Sequence, residues 1–199
     1  MNKFDILVSF IIAEIDAWLI IGISNYIGWN FVSLIKFLPL ILPVLVIFGF
    51  LITKLLSQKI FLAFQFYKFS LVGTLSAFID LGILNLLMWS SGITYGLFYP
   101  VFKSVSFVTA TCNSYFWNKF WTFQKREVKN TFKEFIQFLM IAITGLLIHI
   151  SVASLIVNVF GPKFGIRFKL WANIGATIAI LLGSLWNFYG YKFLVFKAH

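Results

Sequence analysis

Charge is what this chain has least of. Only 11% of its residues are charged and six are acidic, where an ordinary soluble domain carries about a quarter. With 61% hydrophobic residues and a mean hydropathy of +0.96, that scarcity excludes an ordinary soluble fold and points to an integral membrane protein. Cysteine is almost absent too. The single Cys112 excludes an intrachain disulfide and any multi-cysteine metal site, and reads as small-residue helix packing. Long polar stretches are missing: the longest runs from Gln124 to Lys133, and the external turns are Ser90–Gly96 and Gly161–Lys169. The chain therefore has no room for a soluble catalytic domain. There is also no Gly-rich nucleotide loop, paired-His zinc helix or nucleophile elbow. Those absences exclude a transporter driven by its own ATPase; neither enzyme activity, a cofactor nor a metal is expected.

What is present is apolar length. A helix needs about 20 predominantly apolar residues to span the hydrocarbon, and six stretches qualify, at 4–26, 36–56, 66–90, 101–120, 134–159 and 169–193. The fold class is all-α, with about six transmembrane helices. The formal charge of +10 sits between these spans, so no nucleic-acid partner is expected. Lys3, Lys54, Lys59, Lys68, Lys119, Lys125, Arg126, Lys129, Lys133, Lys192 and Lys197 fall on one side of a six-span layout. Lys36, Lys103, Lys163, Arg167 and Lys169 fall on the other. By the positive-inside rule both termini are cytoplasmic, in a multi-pass protein of the cytoplasmic membrane. Asp5 stands where a signal peptide would be basic, and Glu14 and Asp16 interrupt the apolar run. The first span is expected to be retained.

The chain repeats itself. Ser114-Tyr115-Phe116-Trp117-Asn118-Lys119-Phe120-Trp121-Thr122-Phe123 returns, degraded, as Asn187-Phe188-Tyr189-Gly190-Tyr191-Lys192-Phe193-Leu194-Val195-Phe196. Upstream, Phe66 to Asp80 has the length of Phe135 to His149, with Phe69 over Phe138 and Gly73 over Ala142. A period of roughly 70 residues, each unit being two apolar segments, predicts a duplicated helical hairpin whose copies share one orientation. The layout is an accessory N-terminal hairpin at 1–65 and a four-helix domain at 66–199, with repeats 66–125 and 134–197. In the second span Pro39 and Pro43 each remove a backbone donor and are expected to loosen the helix.

Polar residues inside apolar spans are candidates for function. Asp80 lies about 18 Å along its helix from Lys68, near mid-bilayer, where an acid costs on the order of 2.5–3.5 kcal/mol. His149 occupies the matching place in the second repeat. Both share a helical stripe with small residues, Gly73 and Ser76 in one copy, Ala142 and Gly145 in the other. Two readings stand: a titratable pair lining a path through the bundle, or a buried pair that fixes how the hairpins dock. Glu14 and Asp16 fit a packing or interfacial role better than transport. Lys119 and Lys192 are expected to snorkel to the interface. With Asn118, Asn187 and Ser114 nearby, they form a candidate anionic headgroup site. Around them, Trp117, Trp121, Trp186 and Tyr191 are candidate sugar or lipid contacts or members of an interfacial belt.

Residues from about 66 to 197 resemble the GtrA-like family of small four-span membrane proteins. The resemblance rests on Phe69-Ser70-Leu71-Val72-Gly73 leading to Asp80; on Ser114, Tyr115, Asn118, Trp121 and Phe123; and on Trp186, Asn187, Phe188 and Phe196. Where the family carries arginine this chain has Lys119 and Lys192, which keeps the charge and loses a bidentate phosphate fork. The resemblance implies flipping of a polyprenyl-phosphate-linked sugar across the cytoplasmic membrane for cell-surface polysaccharide synthesis. Its alternative is a non-transporting scaffold that anchors a membrane glycosyltransferase or wall-assembly enzyme through the basic loop Lys125–Lys133 and the N-terminal hairpin. A proton-coupled exporter of hydrophobic cations is disfavoured by the positive rim. Four to six short helices leave a homo-oligomer open.

Overall fold

The computed structural model describes residues 3–26, 33–57, 62–93, 98–124, 131–162 and 181–196, together with 165 and 178. Nearly all of these residues are helical, with no strand among them. Helix α1 is Lys3–Tyr26; a 3-10 turn, Ser33–Phe37, leads into α2, Leu38–Leu56; α3 is Ala63–Ser91. Helix α4, Phe98–Trp117, runs on as a π turn at Asn118–Thr122; α5, Thr131–Ser154, runs on as a π turn at Leu155–Phe160. Helix α6, 181–190, runs on as a π turn at Tyr191–Val195. Among the described residues four stretches are long and apolar enough to cross a membrane: Lys3–Tyr26, Ile35–Leu56, Ala63–Ser91 and Thr131–Ile148. The start of the sixth predicted span and loop residues 125–130 lie outside the described residues.

The chain divides into two compact units, Met1–Gln124 and Lys125–His199. In the first, α1 and α2 pack on α3, and α3 pairs with α4. The N-terminal hairpin is thus built into one body with the first repeat. Its core is small: Val8 and Ile12 of α1 meet Leu71, Val72 and Leu75 of α3 and Trp121 of the π turn, with Val46 and Tyr67 against them. Large apolar residues such as Leu40, Val44 and Leu55 on α2 point outward. That inversion suits lipid, where apolar side chains gain nothing by being buried and helices associate by packing and hydrogen bonds.

Local chemistry explains the helix ends and contacts. Pro39 sits in the first turn of α2, where its missing N–H would be unsatisfied anyway, so only Pro43 interrupts the helix interior. This corrects the expectation that both prolines loosen it. Gly92 ends α3 in the left-handed conformation, φ 70°. The Tyr67 hydroxyl donates to the Val46 carbonyl, and Phe50 stands edge-on to Phe64 at 5.1 Å, joining α2 to α3.

The second unit is the hairpin of α5 and α6. Phe138 stacks on Tyr191 at 4.0 Å, and Trp186 Nε1 donates to Thr144 Oγ1 at 2.9 Å. Two glycines allow that approach. A Cβ on Gly145 would stand 2.1 Å from Asn187 Oδ1, and one on Gly190 would stand 2.6 Å from Ile141. Gly73, expected to admit a close neighbour, has nothing within 4 Å of its Cβ position. Gly190→Ala should therefore lower stability by about 1–3 kcal/mol through overpacking. Gly73→Ala should be neutral or stabilising by up to about 1 kcal/mol through helix propensity. Thermal unfolding of the two variants in detergent checks the contrast.

Candidate functional site

The topology brings the start of α1, the end of α2, the start of α3 and the end of α4 to one end of the first unit. A buried ion pair ties them together. Lys68 Nζ donates to Asp5 Oδ1 at 2.5 Å, with the two side chains 3% and 8% exposed. The same oxygen accepts Trp121 Nε1–H at 3.0 Å. The ammonium also lies over the rings of Phe64, at 4.8 Å, and Trp121, at 5.3 Å. Beside this pair is a cavity of about 290 Å3 lined by Asp5, Ser57, Phe64, Gln65, Lys68, Thr122, Phe123 and Gln124. Nothing in the sequence pattern paired Asp5 with Lys68; the available signal was an acid in an otherwise apolar span that begins near a lysine.

The π turn explains why so many polar groups converge here. Phe123 N–H reaches back five residues to the Asn118 carbonyl, at 2.8 Å. The wider turn buries Asn118, Lys119, Trp121 and Thr122 together, where an α-helix would bury a narrow stripe. The second copy makes the same turn, with Phe196 N–H donating to the Tyr191 carbonyl at 2.7 Å. Single π turns inside helices recur at functional sites, and here the duplication preserves one at the same place in both copies of the repeated phrase.

From that end a polar seam follows the α3–α4 hairpin. Gln65 Nε2 donates to the Thr122 carbonyl at 3.4 Å, Asn113 Nδ2 to Ser76 Oγ at 3.1 Å, and Ser106 Oγ to Asp80 Oδ1 at 2.6 Å. The seam covers about 22 Å of helix at 1.5 Å per residue. A second polar line lies on α1, where Asp5, Ser9 and Asp16 are buried on one stripe against α3, Asp16 beside Thr74. At the opposite end of these helices a cavity of about 530 Å3 opens between α1 and α3, walled chiefly by apolar surface that includes Trp18, Tyr26, Asn85 and Trp89.

The other sequence-predicted residues fall as follows. Lys119 does not snorkel: it is 1% exposed, its Nζ donates to the Tyr115 hydroxyl at 3.1 Å, and it lies over the Tyr115 and Phe120 rings. A lysine four residues after a tyrosine on one helical turn finds its partner inside. Asn118 directs its amide N–H groups to the Ser114 carbonyl and hydroxyl, at 2.9 and 3.2 Å. The side-chain oxygens of Asn118 and Asn187 are buried without a partner among the described residues. Lys192 is half-buried in the second unit, over Phe193. Trp121 and Tyr191 are interior residues, Trp117 is half-buried against the core and Trp186 is exposed. The His149 side chain lies outside the described residues; Ser106 is one partner of Asp80.

An all-helical, multi-span membrane protein carrying the same π-turned helix end in each of two hairpins is defined by these features. The model of the GtrA/DPMS transmembrane domain matches residues 68–196, and the chain belongs to that family. Neither a curated protein nor a solved structure matches it. Lys68 is the first residue of the match and Asp5 lies outside it, so the ion pair joins the family domain to the N-terminal hairpin.

Breaking that pair is expected to be expensive. Asp5→Ala leaves a buried ammonium uncompensated and should destabilise the protein by about 3–5 kcal/mol. The double variant Asp5→Leu/Lys68→Met should recover most of the loss. Thermal unfolding of both variants in the same detergent measures the difference.

Proposed function

We propose that the protein carries a polyprenyl-phosphate-linked monosaccharide across the cytoplasmic membrane for cell-surface polysaccharide synthesis, without a covalent step. The observation that carries the proposal is the polar seam of α3 and α4. Polar side chains in a lipid-embedded hairpin are costly and recur where a substrate or ion crosses. A headgroup moving along the seam exchanges its hydrogen bonds among Gln65, Asn113, Ser76, Ser106 and Asp80 while its prenyl chain stays in the bilayer. The amide and aromatic groups of Asn85, Trp18 and Tyr26 would meet it at the far end.

In this reading both termini are cytoplasmic, and the lysine-bearing end is where the substrate enters. Lys192, half-buried over the Phe193 ring in the second unit, is a separate candidate contact for a lipid phosphate. Lys119 and Asn118 hold the shape of the first π-turned helix end from within. The competing reading is a scaffold that presents a glycosyltransferase, with the N-terminal hairpin as a docking surface.

The test is transbilayer movement of a polyprenyl-phosphate hexose in liposomes holding the purified protein. Wild type should move the lipid faster than protein-free liposomes. Asp80→Asn and Ser106→Ala should each slow movement by about tenfold or more, equivalent to about 1.4 kcal/mol on the barrier, with helicity unchanged. Full speed in both variants would remove the seam from the path. No movement by folded wild type would favour the scaffold. Lys192→Ala should weaken binding of an anionic polyprenyl lipid more than that of a neutral one; equal loss for both would remove its phosphate role.

A further inference from the structure

We infer that the cavity beside the Asp5–Lys68 pair seats the sugar ring of the transported lipid, and that α1, outside the family match, supplies the carboxylate that recognises it. The inference rests on the translocation reading above and adds the headgroup's place and its chemistry. The cavity walls offer both acceptors and donors: the Asp5 carboxylate, the Lys68 ammonium, the Gln65 and Gln124 amides, and the Ser57 and Thr122 hydroxyls, with the Phe64 and Phe123 rings alongside. Asp5 and Lys68 cancel in charge. A neutral, polyhydroxylated ligand suits such walls, whereas an anion would have to displace Asp5 from Lys68. The volume of about 290 Å3 is at the small end for ligand sites and suits one ring.

Two of the residues lining this cavity keep unused hydrogen-bonding capacity. Both bonds to Asp5 end on Oδ1, and among the described residues no hydrogen bond occupies Oδ2. Thr122, 3% exposed, has a buried Oγ1 with no hydrogen-bond partner among them. A threonine in an α-helix ordinarily returns its hydroxyl to a carbonyl one turn back; in the π turn this hydroxyl does not. Buried polar groups are nearly always satisfied, so an orphan hydroxyl on a cavity-lining residue is one that a ligand group completes when the side chain turns toward it.

The experiment is equilibrium binding to the full chain in lipid nanodiscs, comparing polyprenyl-phosphate hexose with bare polyprenyl phosphate. Wild type should prefer the hexosylated lipid about tenfold or more. Thr122→Val keeps the shape and removes only the hydroxyl. It should cut that preference about threefold or more, leave affinity for the bare lipid unchanged and not lower the melting temperature. Asp5→Leu/Lys68→Met should abolish the preference. A preference retained in both variants, or no preference in wild type, overturns the sugar site. If wild type shows the preference and loses it in the variants, yet moves neither lipid across liposomes, the sugar site stands and translocation falls. Binding of neither lipid by folded wild type overturns both.

Discussion

One buried ion pair holds the first unit together at the end where its chemistry gathers. Asp5 enters from α1, Lys68 from α3 and Trp121 from the π turn after α4, and all three meet on one carboxylate oxygen. Away from water a lone carboxylate or ammonium is prohibitively costly, so each group is tolerable only because the others are in place. In lipid, where apolar packing supplies little drive for helices to associate, such a contact specifies which helices meet and in what register. With α1 anchored at Asp5, its stripe of Ser9, Ile12 and Asp16 is brought against α3.

The duplication has been used unequally. Both hairpins keep the π turn, and both press the second helix close to the first. The first hairpin fills its interface with polar pairs, Asn113 on Ser76 and Ser106 on Asp80. The second stacks Phe138 on Tyr191 near its π turn, joins its helices through Trp186 and Thr144, and has glycines that admit Asn187 and Ile141. Among the described residues the first hairpin carries the longer line of polar pairs, and the second the closer glycine-mediated contacts.

The apolar lengths marked the helices well. Predicted spans 4–26 and 66–90 became Lys3–Tyr26 and Ala63–Ser91, because twenty apolar residues in lipid have few alternatives to a helix. The repeated phrase marked the matching helix ends. Less legible were the partners. Asp5 and Lys68 are far apart in sequence, and an acid near a chain start reads locally as an interfacial residue. Lys119 was expected to snorkel because lysines near helix ends ordinarily do; the π turn, which alters which residues face inward, buries it instead. A helical pattern of period 3.6 carries no sign of one wider turn. Asp80 stood out as a costly mid-span acid, while Ser106, the group that bonds it, looked like any small residue on a membrane helix.

The central claim is that the α3–α4 seam is the route of a sugar headgroup, and thiol labelling tests it directly. Cys112 is the only native cysteine, so Cys112→Ser gives a clean background for single cysteines introduced as Ser76→Cys and Asn113→Cys, both half-buried on the seam, in proteoliposomes. The account predicts that a membrane-impermeant thiol reagent labels both positions and that polyprenyl-phosphate hexose slows the labelling. Positions that never label, or that label at the same rate with and without the lipid, would contradict it.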